Sequence, residues 1–171
     1  MSVIAGVRNR ALQLLALYAP GGDSFRVALH RLRGVRIGEG TWIGFDTMIE
    51  PSYPSRVVIG ERVAIGIRVL ILAHFAHHGH NRESSDGAVD DRVSVRIEDE
   101  VFIGPGAIIM PNVTLGAGSV VAAGSVVTRS VAPLTMVQGN PAKPIARCGV
   151  HLGLDTPVKE FYRRLVPIED A

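Results

Sequence analysis

Aliphatic residues recur at a spacing of six along most of the chain. Ile37, Ile43 and Ile49 are six apart, and so are Ile59, Ile65 and Ile71; after a gap, Ile97, Ile103, Ile109, Leu115, Val121 and Val127 keep the same step. Two positions before many of them stands a second small or β-branched residue: Thr41, Thr47, Val63, Val69, Val101, Ala107, Val113, Ser119 and Ser125. Residues i and i+2 of a strand share a face, so each six-residue unit points two side chains inward. Glycine follows the aliphatic position at Gly38, Gly44, Gly60, Gly66, Gly104 and Gly116. A second set, Gly40, Gly106, Gly118 and Gly124 with Asn112 in the same register, falls where a positive φ turns the chain. Six is not a helical period, and a flat sheet uses longer strands. Short strands joined by tight turns in repeating units predict a parallel β-helix, whose stacked rungs bury a continuous aliphatic interior. A β-sandwich with glycine-rich hairpins would have irregular strand lengths, which twelve in-phase positions contradict.

The first 34 residues follow other rules. Residues 3–18 read as a short amphipathic helix, open to packing on a partner or on a membrane surface. Their apolar run is shorter than the roughly 20 residues of a membrane span. Pro20 after Ala19 also speaks against signal cleavage. A second helix is expected at 23–33, capped by Asp23 or Ser24 and ended by Gly34, with Phe25, Ala28, Leu29 and Leu32 on one face. The period breaks twice, at the corner loop "PSYPSR" and over "LAHFAHHGHNRESSDGAVDDRVSVR". The expected organisation is a helical segment at 1–34, a β-helix at 35–148 with an excursion loop at 72–96, and a tail at 149–171 with a short helix.

Composition sharpens this picture. A chain of 171 residues fits one domain, and 47% hydrophobic against 5% aromatic residues calls for an aliphatic core. The single cysteine, Cys148, excludes an internal disulfide and fits a reducing, cytoplasmic setting. A net charge of +2 without a long basic run argues against a nucleic-acid partner.

The units "IGEGTW", "IGERVA", "IGIRVL", "IGPGAI" and "LGAGSV" resemble the hexapeptide repeats of the left-handed parallel β-helix acyltransferases. The stretch "VVAAGSVVTRSVAPLTMVQGNPAKPIARCG" is similar to the end of the acetyltransferase branch, which includes galactoside, maltose and O-antigen or capsule enzymes. The likeness covers roughly residues 30–148. It implies an all-β left-handed β-helix with short helices at both ends, three hexapeptides to a triangular coil, and a homotrimer. It also implies acetyl-CoA as acyl donor, bound in a groove between subunits and passing its acetyl group to a hydroxyl (a sugar or other polyol) or an amine. Gly104, Ala123, Ser125, Thr128, Arg129 and Lys143 match coenzyme positions, with Ala122 and Gly124 as small neighbours.

Four histidines, His74, His77, His78 and His80, crowd the start of the second break. Acyl transfer needs a base of near-neutral pKa held rigidly beside the thioester, and histidine at a coil edge meets that demand. His74 sits three residues after the inward Ile71, where the resemblance places the catalytic base. The register of the galactoside and maltose enzymes falls near Ala76, which keeps the adjacent His77 as the alternative base. His78 and His80 read as solvated loop residues. The amide that often serves the oxyanion would belong to Pro105, which has no N–H, leaving Gly104 or Gly106 to substitute. Two other readings stand beside acetyl transfer. A non-catalytic assembly β-helix would need neither the loop histidines nor Lys143. A metalloenzyme like the γ-type carbonic anhydrases needs histidines from successive coils, yet residues 97–146 contain none, so no metal is expected.

Overall fold

The computed structural model describes residues 3–74, 94–153 and 155–168. Two helices, α1 (Val3–Tyr18) and α2 (Phe25–Arg33), precede four coils of three short strands. The coils comprise β1 (Arg36–Ile37), β2 (Trp42–Ile43) and β3 (Met48–Ile49); β4 (Val57–Ile59), β5 (Ala64–Ile65) and β6 (Leu70–Ile71); β7 (Val95–Ile97), β8 (Phe102–Ile103) and β9 (Ile108–Ile109); and β10 (Val113–Leu115), β11 (Val120–Val121) and β12 (Val126–Val127). Equivalent strands of successive coils pair in parallel and in register, Ile37 on Ile59, Ile43 on Ile65 and Ile49 on Ile71. Three parallel sheets result: a first face β1-β4-β7-β10, a second containing β2-β5-β8-β11, and a third β3-β6-β9-β12. This is the left-handed parallel β-helix with short terminal helices.

The period-six residues fill its interior. From Ile43 to Val127 the inward aliphatics are at most 2% exposed, as are the nine residues two positions before them. The glycines after the aliphatic position are there for contact between coils. A Cβ on Gly104 would lie 2.5 Å from the Ala123 nitrogen, and one on Gly66 2.6 Å from that of Pro105. The turn set has φ near +64° to +70° at Gly40, Gly106, Gly118, Gly124 and Asn112. Asp46, Arg62, Arg68 and Glu100 hold the same conformation in equivalent turns, so the backbone imposes it even where no glycine marks it.

Past the fourth coil, β13 (Thr135–Gly139) stacks on β11, and β14 (Ala142–Cys148) folds back antiparallel to it, followed by α3 (Val158–Arg163) and β15 (Leu165–Pro167). The last seven residues of the segment expected to be β-helix thus form a return strand. Phe161, Cys148 and Val120 pack with Phe102, Met136 and Leu165, covering the outside of the second face.

Gly34 ends α2 in the left-handed conformation, as expected. The buried face of α2 differs from the one its apolar residues suggest. Phe25, Ala28 and Leu32 are exposed, whereas Arg26, Val27, Leu29, His30 and Arg33 are buried. The cause lies in the ladder. The carbonyl of each inward aliphatic residue accepts an amide of the preceding coil, Ile59 from Gly38 and Ile65 from Gly44, so the carbonyls of Ile37, Ile43 and Ile49 in the first coil have no preceding coil to pair them. Arginines supply the donors, one at each face. Arg31 donates to Ile37 O (2.8 Å), Arg26 to Ile43 O, and Arg33 to Ile49 O (3.0 Å).

Candidate active site

The chain leaves the third face after Ile49 and, one coil later, after Ile71. At this corner the paired register sets Glu50 beneath Leu72, with Ala73 and His74 just beyond. Glu50 stands where the preceding units carry Gly38 and Gly44. It is fully buried. Its Oε1 accepts the amides of Ser52 (2.8 Å) and Tyr53 (2.9 Å), and its Oε2 accepts the amide of Ala73 (2.7 Å) and faces His74 Nδ1 at 2.8 Å. Burial by itself would raise the Glu50 pKa. The hydrogen bonds from His74, Tyr53, Ala73 and Ser52 outweigh it and hold the carboxyl below its ordinary value. An ionised carboxylate only accepts, so the His74 nitrogen that faces it, Nδ1, carries a proton, and in the neutral ring Nε2 is the nitrogen with the lone pair. The His74 side chain is 16% exposed, and Tyr53 stands edge-on to its ring at 5.0 Å between centroids. The pair can take a proton at Nε2 while the buried carboxylate steadies the imidazolium.

A buried clamp fixes this corner from the helical side. Arg33 donates to Glu50 O (2.8 Å) and to Asn9 Oδ1 (2.9 Å), and Asn9 Nδ2 donates to Pro51 O (2.8 Å). Burial lowers the Arg33 pKa to about 10, which leaves the guanidinium charged at neutral pH.

The other site residues predicted from sequence fall into two groups on either side of the third face. Val127 pairs with Ile109 and Ile109 with Ile71, so Thr128 and Arg129 occupy the same corner as His74, two coils on. Two strand spacings are about 10 Å. Gly104, Ala123 and Ser125 lie at the opposite corner, between the second and third faces. Lys143 is exposed in β14 opposite Gln138, and the neighbouring Gly139 donates to Ser125 Oγ at 3.2 Å, which brings Lys143 to that corner too. Met48, Leu70, Ile108 and Val126 form the outer surface between the corners. His77, His78 and His80 lie outside the described residues. The substitutes for Pro105 are already engaged: the amide of Gly104 donates to Val121 O (2.8 Å) and that of Gly106 to Ile67 O (2.9 Å). Among the described residues, no group of three or more His, Cys, Asp or Glu side chains could hold a metal ion.

Glu50, Arg33 and Asn9 are the site residues that reading the sequence alone passes over. A carboxylate in the glycine position of "IEPSYP", one coil below the histidine, was a usable signal for the first.

Stacked hexapeptide coils with a histidine–carboxylate pair at one corner define a hexapeptide-repeat β-helix of the transferase type. Residues 94–129 match the bacterial transferase hexapeptide (six repeats) family. A putative acetyltransferase of Bacillus subtilis, YvoF, is 31% identical over 140 residues, 81% of this chain and 76% of that protein. A putative acetyltransferase of Schizosaccharomyces pombe, C18B11.09c, is 37% identical over 91 residues, 53% of this chain and 43% of its own length. The crystal structure of the hexapeptide-repeat acetyltransferase VCA0836 of Vibrio cholerae, complexed with acetyl-CoA, superposes with a TM-score of 0.64 at 27% identity, covering 84% of this chain and 87% of that one. The chain belongs to the bacterial hexapeptide transferase family. It spans less than half the length of several curated relatives, 34% in the case of serine acetyltransferase 4 of Arabidopsis thaliana.

Proposed function

We propose that the protein is an acetyltransferase that passes the acetyl group of acetyl-CoA to a hydroxyl acceptor, a sugar or another polyol, with His74 as general base. The observation that carries this reading is the His74–Glu50 pair at 2.8 Å, which fixes Nδ1 as the donor and so makes Nε2 the basic nitrogen of the neutral ring at a coil corner. In the reaction Nε2 takes the acceptor's proton as its oxygen attacks the thioester carbonyl. The tetrahedral intermediate then expels the coenzyme thiolate, and the imidazolium returns the proton to it. Glu50 does not react; it fixes the tautomer and stabilises the charged ring. Cys148 is buried against Val120 and Phe161 on the outside of the second face, which makes it a poor nucleophile candidate, and direct transfer requires no covalent enzyme intermediate. His77 is the alternative base, and an amine the alternative acceptor.

Gly104, Ala123 and Ser125 offer a small-residue surface for pantetheine, Thr128 and Arg129 offer polar contacts to the coenzyme, and Lys143 offers a cation for its adenosine phosphates. The third face between the two corners is convex, so a neighbouring subunit supplies the other wall of the groove and the active unit is a homotrimer. The coenzyme donor and the lone cysteine fit a cytoplasmic protein. Among the described residues, no helix is long and apolar enough to cross a membrane. The test is thiol release from acetyl-CoA against a panel of sugars, amino sugars and alcohols, with light scattering at the assay concentration. Acceptor-dependent release by a trimer is expected. Failure to bind acetyl-CoA, or full activity in a monomer, overturns the reading or its shared groove respectively.

A further inference from the structure

Helix α1 is mounted with its apolar side outward. Its buried positions are Asn9, Gln13 and Ala16, two of them polar. Val3, Ile4, Val7, Leu14, Leu15 and Tyr18 are 59% to 83% exposed. At about 3.6 residues per turn these six lie within one third of the helix circumference. Arg8 and Arg10, both exposed, fall on the two edges of that stripe. The helix contains no acidic residue, and residues 1–36 hold six arginines against the single Asp23. The stripe is also held rigidly from behind, since Asn9 binds Arg33 and the Pro51 carbonyl.

We infer that the outer face of α1 docks on an anionic lipid surface. An apolar stripe edged by arginines suits a helix lying in the plane of the interface, with side chains in the acyl boundary and guanidiniums reaching back to the phosphates. With 16 residues and two arginines, α1 lies on the bilayer rather than crossing it. A second copy of the helix is a poorer occupant. Pairing two α1 faces would set Arg8 and Arg10 against their counterparts with no carboxylate on either helix, whereas anionic headgroups supply the missing charge. Because the helix is already folded and braced, docking carries little ordering cost.

The test is co-sedimentation of the full chain with phosphatidylcholine vesicles, with and without about one third phosphatidylglycerol. Binding is expected with the anionic vesicles, weakening as salt rises from about 0.1 to about 0.5 M. The double variant Val7→Glu/Leu14→Glu should bind at least roughly tenfold less, with its circular dichroism and oligomeric state unchanged. Equal binding to both vesicle types, or retained binding by the double variant, overturns the inference. So does dissociation of the oligomer by the same substitutions, which would make the face a contact between copies. Arg8→Gln/Arg10→Gln, which leaves the stripe intact, should lose the preference for anionic vesicles; an unchanged preference contradicts the role given to the charges.

Discussion

Glu50 is a buried carboxylate at one corner of a largely aliphatic stack, and it stays ionised because three amides and one imidazole donate to it. That makes it the residue on which His74 depends. Glu50→Gln keeps the shape but presents an amide N–H₂ to at least one of those donors, and it removes the charge that fixes the His74 tautomer. Turnover should fall roughly 10- to 100-fold, with acetyl-CoA affinity unchanged and the pH optimum displaced. An unaltered pH profile would mean that the pair is structural. His74 was legible in the sequence because a histidine at the end of an inward register is a local fact. Glu50 was not, because its partner is 24 residues away and meets it only when the coils stack. His30 adds a second titratable group. It is fully buried, and its Nδ1 lies 3.0 Å from Arg33, which can only donate, so the ring is neutral. Burial, with the nearby Arg33 and Arg26 charges, lowers its pKa from 6.5 to about 3. Between those values the unfolded chain binds a proton that the folded one does not. Stability should therefore fall as pH drops from 6.5 towards 3, and His30→Gln should flatten that slope in urea titrations taken across the interval.

The coil is the unit in which the fold repeats, and its inward residues carry the stability. Val113 is 1% exposed at the core of β10. Val113→Asp places an unpaired carboxylate among aliphatic side chains, a cost of several kcal/mol that a domain of ordinary stability does not survive. The variant should be insoluble or lack the β-helix signature by circular dichroism. A soluble, native-like Val113→Asp protein would contradict the register. The β-helix could be read from the sequence because every rung repeats the same demand, two inward residues and one tight turn. The orientation of α2 could not. Its buried face is chosen by orphan carbonyls of the first coil, and Arg26, Arg31 and Arg33 are selected as donors rather than for hydropathy. Periodicity arguments assume that an element buries its apolar side, and both N-terminal helices break that assumption, α2 to cap the ladder and α1 by turning apolar residues outward.

At the scale of the whole molecule, stacking converts residues distant in sequence into neighbours. His74 shares a corner with Thr128 and Arg129, while Gly104, Ala123 and Ser125 share the next, with the third face between them. The sequence made these residues look several coils apart from the histidine; register reduces the separation to two. The arrangement suits an extended coenzyme crossing one face and ending beside a base. The most direct test is steady-state acetyl transfer by wild type and His74→Ala, paired with calorimetric titration of acetyl-CoA into each. The His74–Glu50 account predicts that turnover falls by roughly 100-fold or more while acetyl-CoA affinity is retained. Near-normal turnover in His74→Ala, with His77→Ala inactive, would place the base one register away and contradict it.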